Sequence, residues 1–192
     1  MSPSLREERK VRTSAAIAAA ALDLFAARSY AAVTVAEVAA AARVGERTLY
    51  RYFADKEDLL FGEDEGFRVE LRTAIEQRRA GEPPFAVLRG ASATVARALE
   101  DRRDEVRRRA EVIASAPALA ARERAKHAAW ESVLAEALRE RGVATGEARL
   151  LGRVTVACYD EATTRWLEQD GSHRTLCAEL DAAFAELDAL TN

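Results

Sequence analysis

Side chains that can recognise DNA lie close together in one short segment, Glu46-Arg47-Thr48-Leu49-Tyr50-Arg51-Tyr52-Phe53. An arginine guanidinium can bind O6 and N7 of guanine, a threonine methyl can contact a thymine methyl, and a tyrosine hydroxyl can reach a phosphate. In a helix, Leu49 and Phe53 share the inner face at a spacing of four residues. The other side chains then form an outer face that fits a DNA groove. The alternatives are that the tyrosines only pack and that the arginines form a solvated face.

The elements that must position this segment are two further helices. Thr34 is followed three residues later by Glu37, a capping box that opens a short helix over 35–42. Arg43-Val44-Gly45 is a tight break before the next helix, 46–53. Two such short helices bury little surface alone, so we expect helix 9–28 to pack across them. Three helices with a tight turn between the last two form a helix-turn-helix unit, whose second helix enters the major groove.

The order and spacing of these motifs resemble the TetR family of bacterial transcriptional repressors. The resemblance covers about residues 9–61. It rests on Thr34-Val35-Ala36-Glu37-Val38-Ala39, Val44, residues 46–53 and Asp55-Lys56-Glu57-Asp58-Leu59-Leu60. It implies base contacts from Arg47, Thr48 and Tyr50. It also implies phosphate contacts from Tyr52 and Lys56, a backbone contact from Thr34, and either kind of contact from Arg51. The basic N-terminal residues Arg6, Arg9, Lys10 and Arg12 either follow the DNA or simply begin a solvated helix.

The turn departs from the family pattern at two positions, which complete the candidate DNA-binding set. Arg43 stands where the family usually has Gly, and Gly45 stands where it usually has Ser. Either Arg43 adopts a positive φ at a cost of about 1 kcal/mol, or the turn is reshaped and Gly45 takes the strained position. In both cases Arg43 adds a cation close to where DNA should lie.

Composition predicts an all-α fold. The chain has 192 residues, of which 43 are Ala, against 9 Gly and 4 Pro. Alanine is the best helix former, whereas Gly and Pro break helices. We expect about nine helices, over 9–28, 35–42, 46–53, 56–80, 84–99, 102–115, 118–141, 147–169 and 173–190. The predicted domains are a DNA-binding domain, 1–55, and a helical-bundle domain for ligand binding and dimerisation, 56–192. Helix 56–80 would link them mechanically.

A repressor of this kind needs a dimer interface and an effector site, and both are predicted in the second domain. Apolar stripes on the last two helices suggest a four-helix interface between two copies. The candidate interface residues are Leu151, Val154, Cys158, Leu176, Leu180, Phe184 and Leu187. Part of these stripes must also serve the chain's own core.

Candidate residues for the ligand pocket are Phe67, Leu71, Phe85, Leu88, Arg109, Ile113, His127, Trp130, Leu134 and Trp166. Most of this set can equally be ordinary core, and His127 can be a half-exposed helical residue. The arginine-rich segment 102–109 is either a solvated face or a site for a phosphate-bearing ligand. The stretch 107–142 loosely resembles the TetR subgroup that binds acyl-CoA-like ligands, which would suit an apolar pocket beside arginines.

Charge and cysteine content are consistent with a cytoplasmic DNA-binding protein. The net charge is −3, with +3 over residues 1–52 and −6 over the rest, so any nucleic-acid surface is local. Two cysteines are too few for a disulfide scaffold, and we expect buried, reduced thiols. No run of 18 apolar residues is present, so we expect no membrane span. The expected partners are operator DNA, a second copy of the chain and a small-molecule effector.

The alternative functions are a di-iron helical-bundle enzyme and a DNA-binding regulator without a small-molecule effector. A di-iron helical-bundle enzyme needs Glu-x-x-His pairs, but residues 124 and 170, three before each histidine, are Arg and Asp. The sequence also has no phosphate-binding glycine loop, nucleophile elbow or zinc-ligand spacing, so we expect neither an enzyme nor a cofactor. A DNA-binding regulator without a small-molecule effector, whose second domain binds protein, stays open.

Overall fold

The all-α prediction is confirmed. The computed structural model describes residues 5–169 and 174–191, and this part contains ten α-helices, one 3₁₀ turn and no strand. The helices are α1 Leu5–Arg28, α2 Val35–Ala41, α3 Glu46–Tyr52, α4 Asp58–Phe61, α5 Asp64–Glu76, α6 Pro84–Leu99, α7 Arg103–Ala114, α8 Pro117–Glu140, α9 Thr145–Glu168 and α10 Leu176–Thr191. The 3₁₀ turn, Glu100–Arg102, joins α6 to α7. His173, one of the two histidines, lies outside the described residues.

The predicted long helix 56–80 is instead two helices, α4 and α5, for local reasons. α4 begins only at Asp58, whose amide donates to the carboxylate of Asp55 over 2.8 Å. The chain then leaves the helix at Gly62, where a Cβ atom would lie 2.7 Å from a ring carbon of Phe53. That close contact requires glycine, and glycine is about 1 kcal/mol less favourable than alanine within a helix. α5 ends at Glu76, where Arg141 donates to the carbonyls of Ile75 and Arg78.

The chain folds into two compact units. The first contains residues up to Glu63 together with Glu105–Glu123, and the second contains Asp64–Asp104 and the chain from Arg124 onward. The unit boundaries therefore fall within α7 and α8 as well as between α4 and α5.

The core of the first unit is the predicted apolar stripe of α1. Ile17, Ala21, Leu22 and Phe25 are all buried, together with Val38 and Ala39 from α2. Leu49 and Phe53 join the same core, which confirms the predicted inner face of α3. The same core includes residues 59–61 from α4, Val112 from α7 and Leu119 from α8. The helix-turn-helix segment is therefore held by apolar side chains from four other helices.

The second unit is built around α6, which contacts α5, α9 and α10. The ring of Phe85 meets that of Phe184 edge to face, with centroids 5.1 Å apart. α8 and α9 approach closely at Gly152, where a Cβ atom would lie 2.8 Å from the carbonyl oxygen of Glu131. Arg103 donates to the carbonyls of Trp166 and Gln169 at the end of α9.

Both cysteine thiols are free, as expected, but only one of them is buried. Cys158 is buried in α9, whereas Cys177 at the start of α10 is partly exposed. Burial and the neighbouring Glu100 raise the pKa of the Cys177 thiol to about 11. None of the helices in the described ranges is both long enough and apolar enough to cross a membrane.

Candidate nucleic-acid interface and ligand cavity

The turn between α2 and α3 is a Schellman motif with arginine at its left-handed position. The amide of Val44 donates to the carbonyl of Ala39 over 2.9 Å, and the amide of Arg43 donates to that of Ala40 over 3.1 Å. These are the two hydrogen bonds that define the motif. Arg43 has a φ of 56°, whereas Gly45 is extended, with a φ of −77°. Of the two possibilities that the sequence left open, the structure therefore has Arg43 at the strained position.

The outer face of α3 carries the predicted polar side chains. Arg47 and Arg51 are exposed, Tyr50 is 51% exposed, and Thr48 is half-buried. Within the part of the chain that the structure describes, Arg47 has no hydrogen-bond or ion-pair partner. An unpaired guanidinium beside an exposed tyrosine is able to bind another molecule without first breaking a contact in this chain.

Tyr52 lies beside polar and cationic side chains at the end of α3. The guanidinium of Arg51 lies 5.2 Å from the centroid of the Tyr52 ring. The pKa of the Tyr52 phenol is below its ordinary value, chiefly because Arg51 hydrogen-bonds to the hydroxyl, with further contributions from Thr13 and the charge of Lys10. Both Thr13 and Lys10 belong to α1, so the N-terminal helix adds positive charge beside the end of α3.

Lys56, for which the family resemblance implies a phosphate contact, packs against the loop after α1 in the free protein. Its ammonium donates to the carbonyl oxygen of Tyr30 over 2.5 Å and lies 4.2 Å from the centroid of the Tyr30 ring. The ring of Phe25 is 5.5 Å away, and burial lowers the pKa of the ammonium. In this conformation Lys56 holds the loop after α1, and a phosphate contact would require it to leave that loop.

Thr34 is the helix cap that the sequence predicts. Its hydroxyl accepts from the amide of Glu37 over 3.2 Å, and its own amide donates to the Glu37 carboxylate over 2.7 Å. Arg28 adds a hydrogen bond of 2.6 Å to the same carboxylate. These bonds lower the pKa of Glu37 to about 2, the backbone hydrogen bond from Thr34 contributing most. The start of α2 is therefore fixed by a network of three residues.

A small apolar cavity lies inside the second unit, between α5, α6, α8 and α9. The sequence predicted Leu71, Trp130 and Leu134 among its lining residues. The other lining residues were missed by sequence reasoning: Ser92, Val95, Thr155, Val156 and Tyr159. The space open to the centre of a water molecule is about 10 Å³, which is room for about one water. Any larger ligand must therefore displace side chains.

Trp130 forms part of the cavity wall. Its indole Nε1 donates to the carboxylate of Asp64 over 2.5 Å. Its ring meets that of Tyr159 edge to face at 5.5 Å and lies 6.4 Å from that of Phe67. The predicted neighbour His127 is 6.3 Å from the Trp130 ring, and its Nδ1 is 3.1 Å from the Asp160 carboxylate. Five of the predicted pocket residues thus line the cavity or lie beside its aromatic side chains: Phe67, Leu71, His127, Trp130 and Leu134.

The remaining predicted pocket residues lie elsewhere. Leu88 is fully buried in α6, Phe85 packs on Phe184, and the ring of Trp166 lies under the guanidinium of Arg103 at 5.9 Å. Arg109 and Ile113 belong to the first unit. Ile113 packs against the core of that unit, and Arg109 is 3.7 Å from both Glu63 and Glu105.

The arginine-rich segment has structural contacts. Arg103 caps α9, and Arg108 forms an ion pair of 2.7 Å with Asp23 of α1. With Arg109 also beside carboxylates, these contacts favour the interpretation as a charge-paired face over a site for a phosphate-bearing ligand.

The apolar stripe predicted for a dimer interface is largely internal. Leu176, Leu180 and Phe184 are fully buried in the second unit, and Cys158 is buried as well. These side chains cannot face a second copy because they already fill the core around α6. Leu151, Val154 and Leu187 are half-buried, and Leu150, on the same helix as Val154, is 63% exposed.

Comparison with known proteins identifies the family. The sequence profile described as "Bacterial regulatory proteins, tetR family" matches residues 17–62. The profile described as "MftR C-terminal domain" matches residues 82–192, which is more than half of the chain. The chain belongs to the TetR family. The part of this TetR chain that matches the regulatory-protein profile includes the second half of α1 and all of α2 and α3.

Individual TetR relatives and structures agree with this assignment. The HTH-type transcriptional regulator TcmR of Streptomyces glaucescens is 36% identical over 89 residues, 46% of this chain and 39% of the relative. The chain thus spans less than half the length of TcmR. MftR of Mycobacterium tuberculosis, named as a candidate regulator of mycofactocin biosynthesis, is 29% identical over 180 residues, 88% of each chain. The repressor FadR of Thermus thermophilus, solved with lauroyl-CoA, is 27% identical with a TM-score of 0.55, covering 91% of this chain and 92% of FadR.

Proposed function

We propose that this TetR-family regulator is a cytoplasmic repressor that binds a palindromic operator as a homodimer and is released by a small hydrophobic ligand of the acyl-CoA type. The outer face of α3 carries the proposal. Arg47, Thr48 and Tyr50 lie on a helix whose inner face is fixed in a core, so the backbone that carries them is positioned before DNA binds. Side chains of these types on a preorganised helix are suited to reading base edges.

Phosphate contacts would hold α3 in the groove. The Tyr52 hydroxyl, the Arg51 guanidinium and the Lys10 ammonium form one electropositive site at the end of the helix. Arg9 and Arg12 are exposed along the same α1, so the basic end of that helix extends the site. Such contacts position the protein on the duplex without reading its sequence.

The second copy would pack on the outer faces of α9 and α10. On α9, Leu150, Val154 and Ala157 follow one another at helical spacing outside the core. On α10, Ala178, Ala182 and Ala185 do the same and allow close approach of another helix. A symmetric dimer presents two α3 helices, as a palindromic operator requires.

The proposed effector site is the cavity beside Trp130. Its walls are apolar, and the related Thermus thermophilus FadR was solved with lauroyl-CoA. An acyl chain could enter only after Trp130 and its neighbours move. A ligand that binds the opened form would shift the population towards a conformation with weaker DNA binding. The room for only about one water in the closed cavity favours a second candidate function, a regulator without a small-molecule effector.

An electrophoretic mobility shift of the intergenic DNA next to the gene, titrated with salt and with lauroyl-CoA, tests the proposal. Sequence-specific binding that lauroyl-CoA relieves is the expected result. Specific binding that no acyl-CoA relieves would instead favour the regulator without a small-molecule effector. Absence of specific binding, both there and in selection from random DNA, would contradict DNA recognition by α3.

A further inference from the structure

We propose that Arg43 binds a DNA phosphate from the turn between α2 and α3, and that the backbone strain at this residue is retained for that contact. The inference rests on the proposed DNA-binding function. It adds a DNA contact from Arg43, a residue type that the left-handed conformation at this position disfavours. It concerns a position at which this chain departs from the usual family residue.

The local conformation does not explain why arginine stands at position 43. A φ of 56° is left-handed, a conformation that disfavours a residue with a Cβ atom relative to glycine. Gly45, two residues later, has a φ of −77°, and a Cβ atom there would meet nothing within 4 Å. The turn therefore has glycine where any residue fits and arginine where glycine is favoured.

Contacts within the chain do not explain the arginine either. The Arg43 side chain is exposed, and across residues 5–169 and 174–191 it has no hydrogen-bond, ion-pair or ring partner. Two other arginines of the same unit, Arg28 and Arg108, form ion pairs of 2.6 Å and 2.7 Å. Arg43 thus contributes strain without a compensating contact to any residue in the described ranges. Strained residues that persist without a structural reason are concentrated at functional sites.

The chemistry of the side chain and its place in the turn point to phosphate. The turn leads directly into α3, the element proposed to enter the groove, so Arg43 would lie at the groove edge where the DNA backbone runs. A guanidinium can bind two phosphate oxygens through parallel hydrogen bonds. Such a contact adds affinity for every DNA sequence and makes binding more sensitive to salt.

The test compares the wild-type protein with Arg43→Gly and Arg43→Asn. Asparagine tolerates the left-handed region better than most residues, so both variants remove the charge and relieve the strain. Thermal unfolding is measured for the free proteins. DNA affinity is measured at several salt concentrations, both for the operator and for unrelated DNA. Arg43→Lys, which keeps the charge and the strain, is the matched control.

The proposal predicts opposite changes in stability and affinity. Both neutral variants should unfold at a higher temperature than wild type, yet bind operator and unrelated DNA roughly tenfold more weakly. The slope of log K against log[salt] should fall by about 0.9. Arg43→Lys should keep the wild-type slope and melting temperature.

Three outcomes would overturn the inference. Unchanged affinity and slope in both neutral variants would exclude the phosphate contact, and a loss confined to one operator base pair would assign Arg43 to base reading instead. Unchanged or lower melting temperatures in both variants would exclude the strain. If the wild-type protein binds no DNA, the proposed function itself fails, which the wild-type titration shows before any variant is made.

Discussion

The ammonium of Lys56 donates a 2.5 Å hydrogen bond to the carbonyl oxygen of Tyr30 and lies 4.2 Å from the centroid of the Tyr30 ring. One side chain thus binds both the backbone and the ring of a residue that follows the end of α1. Phe25 in α1 packs against the same Tyr30 ring, with centroids 5.2 Å apart. Lys56 therefore fastens the loop between α1 and α2 to the turn that precedes α4.

This contact predicts that Lys56→Met lowers stability and leaves the salt dependence of DNA binding nearly unchanged. Loss of a half-buried hydrogen bond and a cation–π contact should cost about 1–2 kcal/mol of unfolding free energy, measured by urea denaturation. Lys10→Met is the matched control, because exposed Lys10 should affect the salt slope of DNA binding and not the urea midpoint. A lower salt slope for Lys56→Met with unchanged stability would instead support the phosphate contact that the family resemblance implies.

Arg47→Ala should weaken binding to the operator by about 1–3 kcal/mol and relax the preference at one base position. The reason is that an exposed guanidinium without a partner in the described chain is free to bind a base edge. Competition binding against a set of single-base operator variants measures both effects. Equal losses on every variant would mean that Arg47 contacts the DNA backbone.

Glu37→Gln should reduce the acid sensitivity of the fold. The folded-state pKa of Glu37 is about 2, below its ordinary value of 4.5, so its carboxylate stabilises the fold above pH 4.5 and this contribution is lost as the pH falls towards 2. Glutamine retains the reach of the side chain without the charge. The variant should melt below wild type at pH 7, and the difference should narrow between pH 4.5 and pH 2. A constant difference across that range would exclude the carboxylate as its cause.

Gly152→Ala should destabilise the second unit by about 1–3 kcal/mol, although alanine is normally the better helix former. The new Cβ atom would lie 2.8 Å from the carbonyl oxygen of Glu131, and a backbone atom within α8 cannot move aside easily. Gly146→Ala on the same helix is the control, since a Cβ there meets nothing within 4 Å and should be neutral or slightly stabilising. Urea denaturation of the two variants checks the difference, and equal midpoints would contradict a close helix crossing.

Local sequence patterns predicted the first unit well. The capping box of Thr34 and Glu37, the stripe of α1 and the inner face of α3 each depend on residues within a few positions of one another. The break at Gly62 was missed because it depends on the ring of Phe53, which reaches Gly62 only after the chain has turned. The same reason applies to Lys56, whose partner Tyr30 is remote in sequence.

The packing of the second unit was harder to predict from the sequence, because an apolar stripe on a helix does not reveal which surface covers it. Leu180 and Phe184 fit an interface with a second copy as well as they fit an internal core, and burial in the structure assigns them to the core. The polar cavity residues Ser92 and Thr155 carry no signal in the sequence. They meet only because α6 and α9 are neighbours, which the pattern of helices does not specify.

The small cavity beside Trp130 has a consequence for any measured ligand affinity. If the closed form predominates and only about 1% of molecules are open, the apparent Kd is about 100-fold weaker than the intrinsic value. Replacing Trp130 with a smaller side chain would then tighten binding by raising the open fraction, although it removes a wall of the site. The measured ligand affinity of such a regulator therefore depends partly on the equilibrium between the closed and open forms of the empty site.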